Sequence, residues 1–305
     1  MSPEDASRVF LVDSSDRDAA VRSLFENAGL AGLSGKSVAL KANFNSADPF
    51  PASTHPDTLR AIVTLLKEAG AREITLAERS GMGDTRGNLD RLGIFALAEQ
   101  SGFKIVVLDD EPNERWAGIE RGETHWARGF HLSKVVLESD IVIQTCCLKT
   151  HQFGGHFTMS LKNSVGLVAR KIPGDPYDYM QELHGSPYQR LMVAEINRFY
   201  PVDFVIMDAA KAFISGGPDK GTGVEPGLML ASKDRVALDA VGVAILREFG
   251  ASSLMEQPVF ELDQIRRAAE LGVGAASAAA IELTPLDERS RAAADRIRTI
   301  LTGDQ

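Results

Sequence analysis

The chain is poor in cysteine: its 305 residues include only two, the adjacent Cys146 and Cys147. Neighbouring cysteines do not meet ordinary disulfide geometry, so the disulfide framework of a small secreted protein is excluded. Two thiols are also too few for the four thiolates that hold an ordinary iron–sulfur cluster. The cysteine content therefore argues against an iron–sulfur cofactor.

Long apolar runs and dense basic runs are absent as well. No stretch approaches the roughly 20 apolar residues that span a bilayer, and residues 1–5 lack the basic and apolar regions of a signal peptide. Acidic residues outnumber basic ones by 42 to 33, and no Lys/Arg run supplies the basic face that binds nucleic-acid phosphates. We therefore expect a cytoplasmic protein without membrane or nucleic-acid partners.

Apolar segments alternate with helical patterns along most of the chain. Hydrophobic residues make up 44% of the sequence, which suffices for a sizeable core. The segments that predict buried strands are 38–41, 74–77, 104–108, 141–145, 204–207 and 228–231. Helical patterns between them, and one at 235–248 capped by Asp234, are typical of βαβ units. The sequence predicts an α/β fold with a mostly parallel sheet and helices on both faces.

One compact domain is predicted over residues 1–275. Residues 110–128 are polar and hold both tryptophans, Trp116 and Trp126, so we predict an insertion near 110–130 that forms a hairpin or a lid. Residues 276–305 predict a tail with an amphipathic helix at 286–301. That helix packs either on the domain or on a second subunit of a homo-oligomer.

The most informative segment follows the apolar run 141–145. Within fifteen residues it carries two lysines, two histidines and an asparagine: Lys149, His151, His156, Lys162 and Asn163. Open α/β sheets place their binding sites just past the ends of strands. The sequence therefore predicts a site built around the segments 148–151 and 160–163.

Lysines and asparagines near predicted strand ends are the candidate ligand-binding residues. A lysine can hold a carboxylate or phosphate as a point charge, and a buried one can act as a base or Schiff-base amine. The alternative is a solvated surface lysine, or an asparagine that merely forms a turn. The predicted ligand-binding set is Lys41, Asn43, Lys149 and Asn163.

Histidines supply the predicted acid–base or metal chemistry. His151 and His156 are separated by a loop with two glycines, which could bring both imidazoles to one point, together with His184 or Asp208. Imidazole with thiolate or carboxylate suits zinc, iron or nickel, although no strong metal-binding spacing is present. The alternative is that the histidines cap backbone groups or face solvent. We predict His151, Lys162 and Asp208 as catalytic, and His151 and His156 as ligands of a divalent transition metal.

Motifs of several common enzyme classes are missing. The glycine-rich loop 80–84 lacks the third glycine of the dinucleotide fingerprint, and the loop 215–223 lacks the Gly-Lys-Ser/Thr order of a P-loop. No Gly-x-Ser-x-Gly elbow is present, which disfavours serine-hydrolase chemistry.

Several short runs, in this order, resemble the bacterial and archaeal family known as domain of unknown function 362. They are LKTH at 148–151, SLKNSVGL at 160–167, GGP at 216–218 with Gly221, and ASKDRVALDA at 231–240. Lys41-Ala42-Asn43 is similar to the start of the family, and residues 264–272 are similar to its end, so the resemblance covers 36–275. It implies no established reaction; some relatives add a cysteine-rich iron–sulfur segment, which this chain does not have.

These observations support an enzyme that acts on a small anionic molecule, with Lys149 and Lys162 orienting its acid group. Two other functions stay open. One is a non-catalytic protein that binds a metal or a ligand in the same pocket. The other is an accessory component of a redox system, against which the missing cysteine cluster counts.

Overall fold

A computed structural model describes residues 7–29, 32–153 and 156–303. The strands of this part of the chain are β1 Ser7–Asp13, β2 Ser37–Lys41, β3 Glu73–Glu78, β4 Lys104–Val107, β5 Trp116–Ile119, β6 Phe130–Ser133, β7 Ile141–His151, β8 His156–Thr158, β9 Phe204–Gly216, β10 Gly221–Val224, β11 Leu228–Ser232 and β12 Ile281–Pro285. The helices are α1 Arg17–Ala28, α2 Pro56–Glu68, α3 Thr85–Arg91, α4 Ile94–Ser101, α5 Lys134–Glu138, α6 Ser160–Asn163, α7 Tyr179–Gly185, α8 Gln189–Ile196, α9 Arg235–Glu248, α10 Asp263–Glu270 and α11 Glu288–Gly303.

One large sheet organises the fold, with strand order β12-β1-β11-β9-β7-β2-β3-β4. Neighbours in this order run parallel except at β1–β11 and β11–β9, while β8 and β10 add short antiparallel hairpins to β7 and β9. The predicted α/β fold with a mostly parallel sheet is confirmed.

Helices cover both faces of the sheet because alternate strand residues point to opposite sides. Ile206 packs in a core with α1, α2 and α4, whereas its neighbour Met207 packs in a second core with α9 and α11. A third core joins the β2 residue Ala39 to the segment 116–136 and to α7 and α8. None of the described helices is both long and apolar enough to span a bilayer.

The predicted insertion near 110–130 is a hairpin that packs on the domain. Its strands β5 and β6 pair with each other in a two-stranded antiparallel sheet, and Leu132 of β6 also forms an isolated bridge with Val168. Trp116 and Trp126 are buried, and the Trp126 indole N–H donates to the carbonyl of Met192 at 3.3 Å. The tryptophans therefore anchor the hairpin against α8.

The segment that carries the predicted site is not the loop that the sequence indicated. β7 does not end at residue 145 but continues to His151, and Lys149 pairs with Thr158 of β8. The partner strands β8 and β9 supply the backbone hydrogen bonds, so polar residues continue the strand without an apolar pattern of their own. Lys149 and His151 consequently belong to a hairpin that extends beyond the carboxyl end of the sheet.

The C-terminal segment belongs to the main sheet and is not a tail outside it. β12 pairs in parallel with β1, with Ser7 opposite Ile281 and Leu11 opposite Pro285. The helix predicted at 286–301 is present as α11, and its apolar face packs on α9 and β1. A division of the chain at residue 275 therefore does not coincide with a structural boundary.

Asp234 should contribute measurably to stability, because its carboxylate joins three parts of the fold. Its Oδ1 accepts from the backbone N–H groups of Val236 and Ala237 at 2.8 and 2.9 Å, and its Oδ2 accepts from Ala275 N–H at 2.7 Å and from the hydroxyl of Ser7 in β1. We expect Asp234→Ala to lower the free energy of unfolding by about 1–2 kcal/mol in urea titrations. The matched control is Lys233→Ala at the exposed neighbouring position, and equal stability of the two variants would contradict the expectation.

Candidate functional site

A cavity of about 350 Å³ lies at the carboxyl ends of β2 and β3, beside α6 and α7. Ligands of open α/β folds bind at this edge of the sheet, and the volume suits a small molecule. The polar residues that line it are Lys41, Asn43, Asn45, Glu78, Arg79, Thr158, Lys162, Asn163, Arg170, Asp178, Gln181 and His184. The cavity thus unites three of the predicted ligand-binding residues, Lys41, Asn43 and Asn163, with Lys162.

A buried ion pair forms one wall of the cavity. Lys41 Nζ donates to Glu78 Oε1 at 2.6 Å and to Asn163 Oδ1 at 3.1 Å, and it also donates to the Ala42 carbonyl. Burial lowers the pKa of Lys41 and raises the pKa of Glu78. The backbone N–H groups of Phe44 and Arg79 donate to the Glu78 carboxylate at 3.2 and 3.0 Å. These donors stabilise the carboxylate against the cost of burial.

Lys149 is buried behind the cavity and is not part of its lining. Its Nζ donates to Asn43 Oδ1 at 2.7 Å and to the Ala52 carbonyl. Asn43 is held in turn by Thr54, whose Oγ1 accepts from the Asn43 backbone N–H at 2.9 Å. Burial lowers the pKa of Lys149, which donates no hydrogen bond to a carboxylate of the described residues. Lys149 therefore orients the Asn43 amide and adds positive charge behind it.

Lys162, on α6, is the cation that the structure leaves free. It is partly buried, and its side chain has no hydrogen bond or ion pair with any described residue. Burial, and then the neighbouring charges of Lys149 and Arg79, lower the pKa of Lys162 to about 8. A partly buried ammonium without a counter-charge destabilises the fold, so the position of Lys162 suggests a role other than stability.

Two arginines of the lining add positive charge. Arg79 is buried and its guanidinium donates to main-chain carbonyls, including those of Val165 at 2.7 Å and Val168 at 2.8 Å. Burial lowers the pKa of Arg79 to about 10. Arg170 donates to the Ser80 carbonyl at 3.1 Å, while its buried Nε has no partner among the described residues. Neither guanidinium is neutralised by a carboxylate hydrogen bond.

His184 stands at the mouth of the cavity, where much of its side chain is exposed. Its Nδ1 lies 2.7 Å from the Met180 carbonyl oxygen. Because a carbonyl only accepts, Nδ1 carries the proton and Nε2 is left as an acceptor in the neutral ring. Partial burial lowers the pKa of His184, and the nearby Lys162 lowers it further. The neutral form of His184 is therefore favoured near pH 7.

His151 lies close to Lys162 and His184 but is not part of the cavity lining. Its ring is buried, and its Nδ1 has no hydrogen-bond partner in the described chain. Burial, followed by the charge of Lys162, lowers the pKa of His151 to about 2. A neutral imidazole with an unsatisfied buried nitrogen is unusual, and it places a free polar atom just behind the cavity wall.

His156 pairs with His151 across the β7–β8 hairpin. The charged groups that act on it are Arg190, Asp263 and Glu256, whereas those that act on His151 are Lys162, His184 and Lys149. In residues 7–29, 32–153 and 156–303, no group of three or more His, Cys, Asp or Glu side chains is arranged to hold a metal. Metal binding by His151 and His156 stays a prediction.

Asp208, predicted to act together with His151 and Lys162, lies elsewhere. It is fully buried, and its Oδ2 accepts from Thr58 Oγ1 at 2.6 Å and from Arg17 Nε at 3.0 Å. On β9, Asp208 points to the same face of the sheet as Ile206, which packs on α1 and α2. On β2, Lys41 points to the same face as Ala39, which packs in the third core on the other side of the sheet. The sheet therefore separates Asp208 from the cavity, and the predicted catalytic set is not brought together.

Several cavity residues were not among the predicted set, namely Asn45, Glu78, Arg79, Arg170 and His184. A signal existed for two of them, because Glu78 ends β3 and Arg79 follows it, just as Lys41 ends β2 and Ala42 follows it. Arg170 and His184 lie in the segment after α6, where the spacing of residues along the sequence does not indicate in which direction a side chain points. Their placement depends on how the third core packs.

The molecule is thus an α/β protein with a small, positively charged cavity at the carboxyl edge of its sheet. The family described as domain of unknown function (DUF362) matches residues 38–244. That match covers more than half of the chain, so the protein belongs to this family, as the sequence resemblance indicated.

Two individual proteins are similar to the chain. The thylakoid-associated protein sll1697 of Synechocystis sp. is 29% identical over 196 residues, which are 64% of this chain and 57% of that protein. The lactate racemase apoprotein from Thermoanaerobacterium thermosaccharolyticum superposes with a TM-score of 0.46 at 16% identity, covering 78% of this chain and 57% of that one. In both cases the match spans little more than half of the other protein.

The Lys41–Glu78 pair should show strong energetic coupling. Lys41→Met leaves a buried carboxylate unpaired, and Glu78→Gln leaves a buried ammonium unpaired, so we expect each to cost about 3–5 kcal/mol of unfolding free energy. The double variant removes both charges and keeps an acceptor for the backbone N–H groups. The free energy of unfolding of the double variant, measured by urea unfolding, should therefore fall by clearly less than the sum of the losses of the two single variants. If the loss in the double variant equals the sum of the losses in the single variants, the two side chains do not interact.

Replacing Lys162 should stabilise the protein at neutral pH. The pKa of Lys162 is about 8 in the folded protein and about 10.4 in the unfolded chain. Between these two pH values the unfolded chain binds one proton more than the folded protein does. The free energy of unfolding of the wild type therefore rises with pH between pH 8 and about 10.4. We expect Lys162→Met to be more stable than wild type by about 1 kcal/mol at pH 7, and the difference to disappear above pH 10.5. Urea unfolding from pH 7 to 10.5 measures it.

Lys233, an exposed lysine, supplies the matched control for this measurement. Lys233→Met should leave the stability difference near zero at every pH. A Lys162→Met variant that is less stable than wild type at pH 7 would show that the ammonium contributes favourable contacts in the fold.

Proposed function

We propose that the protein is an enzyme that acts on a small carboxylate or phosphate held in the cavity beside Lys162. The observation that carries the proposal is the free ammonium of Lys162 in a lining with surplus positive charge. The lining has four cationic side chains, Lys41, Arg79, Lys162 and Arg170, against two carboxylates, Glu78 and Asp178. Because Lys41 and Glu78 neutralise each other, an anion would meet mainly the other three cations.

Amide groups complement these charges. Asn43 and Asn163 are fixed by the two buried lysines, since Lys149 donates to Asn43 Oδ1 and Lys41 donates to Asn163 Oδ1. The side chain of Asn45 lines the cavity and has no hydrogen bond with any described residue. Fixed amides orient a ligand, whereas the lysine and arginine charges supply most of the affinity for an anion.

Proton transfer supports an enzyme over a simple binding protein. A group that titrates near 8 can give or take a proton at neutral pH, and this holds for Lys162. The free Nε2 of His184 is an acceptor at the same cavity. Perturbed titrating groups that line one cavity are typical of active sites.

Binding of anions to Lys162 can be tested directly by calorimetric titration with inorganic phosphate, acetate and succinate. A charged hydrogen bond contributes about 1.5–3 kcal/mol, so Lys162→Met should weaken binding at least ten-fold. Lys233→Met should bind as wild type does. If wild type binds none of the three anions, or if both variants bind equally well, the proposed site is wrong. Turnover of a bound compound, followed by NMR, separates an enzyme from a non-catalytic binding protein.

A further inference from the structure

The amine of Lys162 differs from the other two lysines of the site. The Lys41 ammonium is held by Glu78 and Asn163, and the Lys149 ammonium is held by Asn43 and the Ala52 carbonyl. Both are therefore committed to the fold. Lys162 lines the cavity and has no such partner in the described chain. Of the three amines, only that of Lys162 is free to react with a bound molecule.

The surroundings of Lys162 favour its neutral, nucleophilic form. The cations Lys149 and Arg79 act on it from β7 and from the loop after β3, and burial removes solvent that would stabilise the ammonium. The other titratable and charged groups around it are His151 on β7, His184 on α7, and Arg170, Glu78 and Asp178 in the cavity lining. Desolvation next to other cations is a recognised way to activate a lysine for Schiff-base chemistry.

The same cavity supplies a proton acceptor and groups to hold a carboxylate. His184 Nε2 is free to accept, because Nδ1 carries the proton that faces the Met180 carbonyl. Arg170 lines the cavity, and among the described residues its guanidinium donates only to the main-chain carbonyls of Ser80 and Gly81, while the side-chain amide of Asn45 has no hydrogen bond with any described residue. A carboxylate that binds to Arg170 would leave the rest of a small ligand facing Lys162.

We propose that Lys162 forms a Schiff base with the carbonyl carbon of a small oxo acid whose carboxylate is bound by Arg170. This inference rests on the proposed anion binding and adds the class of substrate. The neutral Nζ adds to the carbonyl carbon, and one of its protons passes through His184 Nε2 to the former carbonyl oxygen, which gives the neutral carbinolamine. Its C–O bond then breaks, and the hydroxide takes the second Nζ proton through His184 and leaves as water, so that the neutral imine remains. No electrons are gained or lost, and the only product released is water.

Reductive trapping tests the proposal. The full-length protein is incubated with pyruvate and sodium cyanoborohydride, which supplies the hydride that reduces the imine to a stable secondary amine. Peptide mapping by mass spectrometry then compares modification at Lys162 with that at Lys233. We expect Lys162 to be modified at least ten-fold faster than Lys233 at pH 7. The rate should rise with pH and level off above about pH 8, where most of the amine is neutral.

Two matched compounds define the specificity. Propionate lacks the carbonyl group and should give no adduct, whereas acetone lacks the carboxylate and should react at least ten-fold more slowly than pyruvate. Modification of Lys162 and Lys233 at similar rates would overturn the proposal. Equal rates with acetone and pyruvate would overturn the assigned recognition of the carboxylate.

Trapping and anion binding, both measured on the wild type, separate this inference from the proposed function. In the folded variant Lys162→Arg the pyruvate adduct should be lost, because arginine cannot form the imine. Peptide mapping of the wild type gives the same information if this variant does not fold. Wild-type protein that binds the calorimetric anions but never traps pyruvate would refute the Schiff base alone. Failure to bind any anion would refute both.

Discussion

The buried ion pair between Lys41 and Glu78 is the interaction on which the site depends. It joins the ends of β2 and β3, and through Asn163 it also fixes α6. Gly166 lies so close to the pair that a Cβ there would be 2.7 Å from Lys41 Cε and 3.1 Å from Glu78 Oε1. Only glycine permits this approach, so the segment after α6 closes directly over the pair. The position of Lys162 follows from that closure.

The β7–β8 and β9–β10 hairpins, which extend beyond the main sheet, also constrain the position of the site residues. Gly217, at a φ of +73°, brings the turn between β9 and β10 against β7, where a Cβ would be only 2.1 Å from the Thr150 carbonyl oxygen. Thr150 Oγ1 donates to the carbonyl of Phe213 at 3.1 Å and thereby ties the same strands together. This packing keeps the extended part of β7 in place, and with it Lys149. The glycine-rich segment 215–223 thus supports the strand and does not resemble a phosphate-binding loop.

Much of the fold could be predicted from local patterns, because apolar runs and helix caps report burial directly. The helix at 235–248 and its cap at Asp234 have the predicted bounds, and the central strands agree within about one residue. β12 and the second half of β7 were missed; the second half of β7 carries polar residues and is held by backbone hydrogen bonds to β8 and β9. The break between α3 and α4 falls at Gly93, which has a φ of +72°.

The site could be predicted only in part, for a similar reason. Residues that follow parallel strands, such as Lys41 and Asn43, reach the carboxyl edge whatever the rest of the chain does. Which face of the sheet a side chain occupies depends on register, and the register places Asp208 on the face opposite to that of Lys41. His184 and Arg170 lie on segments whose direction is set by packing against the third core. Chemistry-bearing residues on such segments cannot be placed from their spacing.

The distribution of charge links the stability of the site to its function. The chain carries a net charge of −9, yet its cavity collects four cations against two carboxylates. A structure selected for stability alone would pair Lys162 with a carboxylate or replace it with an apolar residue. Partial burial here leaves the ammonium without the solvent or the partner that would stabilise it, while Lys149 and Arg79 repel it further. That unfavourable energy is recovered only when an anion neutralises Lys162 or when its amine loses the proton, so the arrangement favours both events in the same cavity.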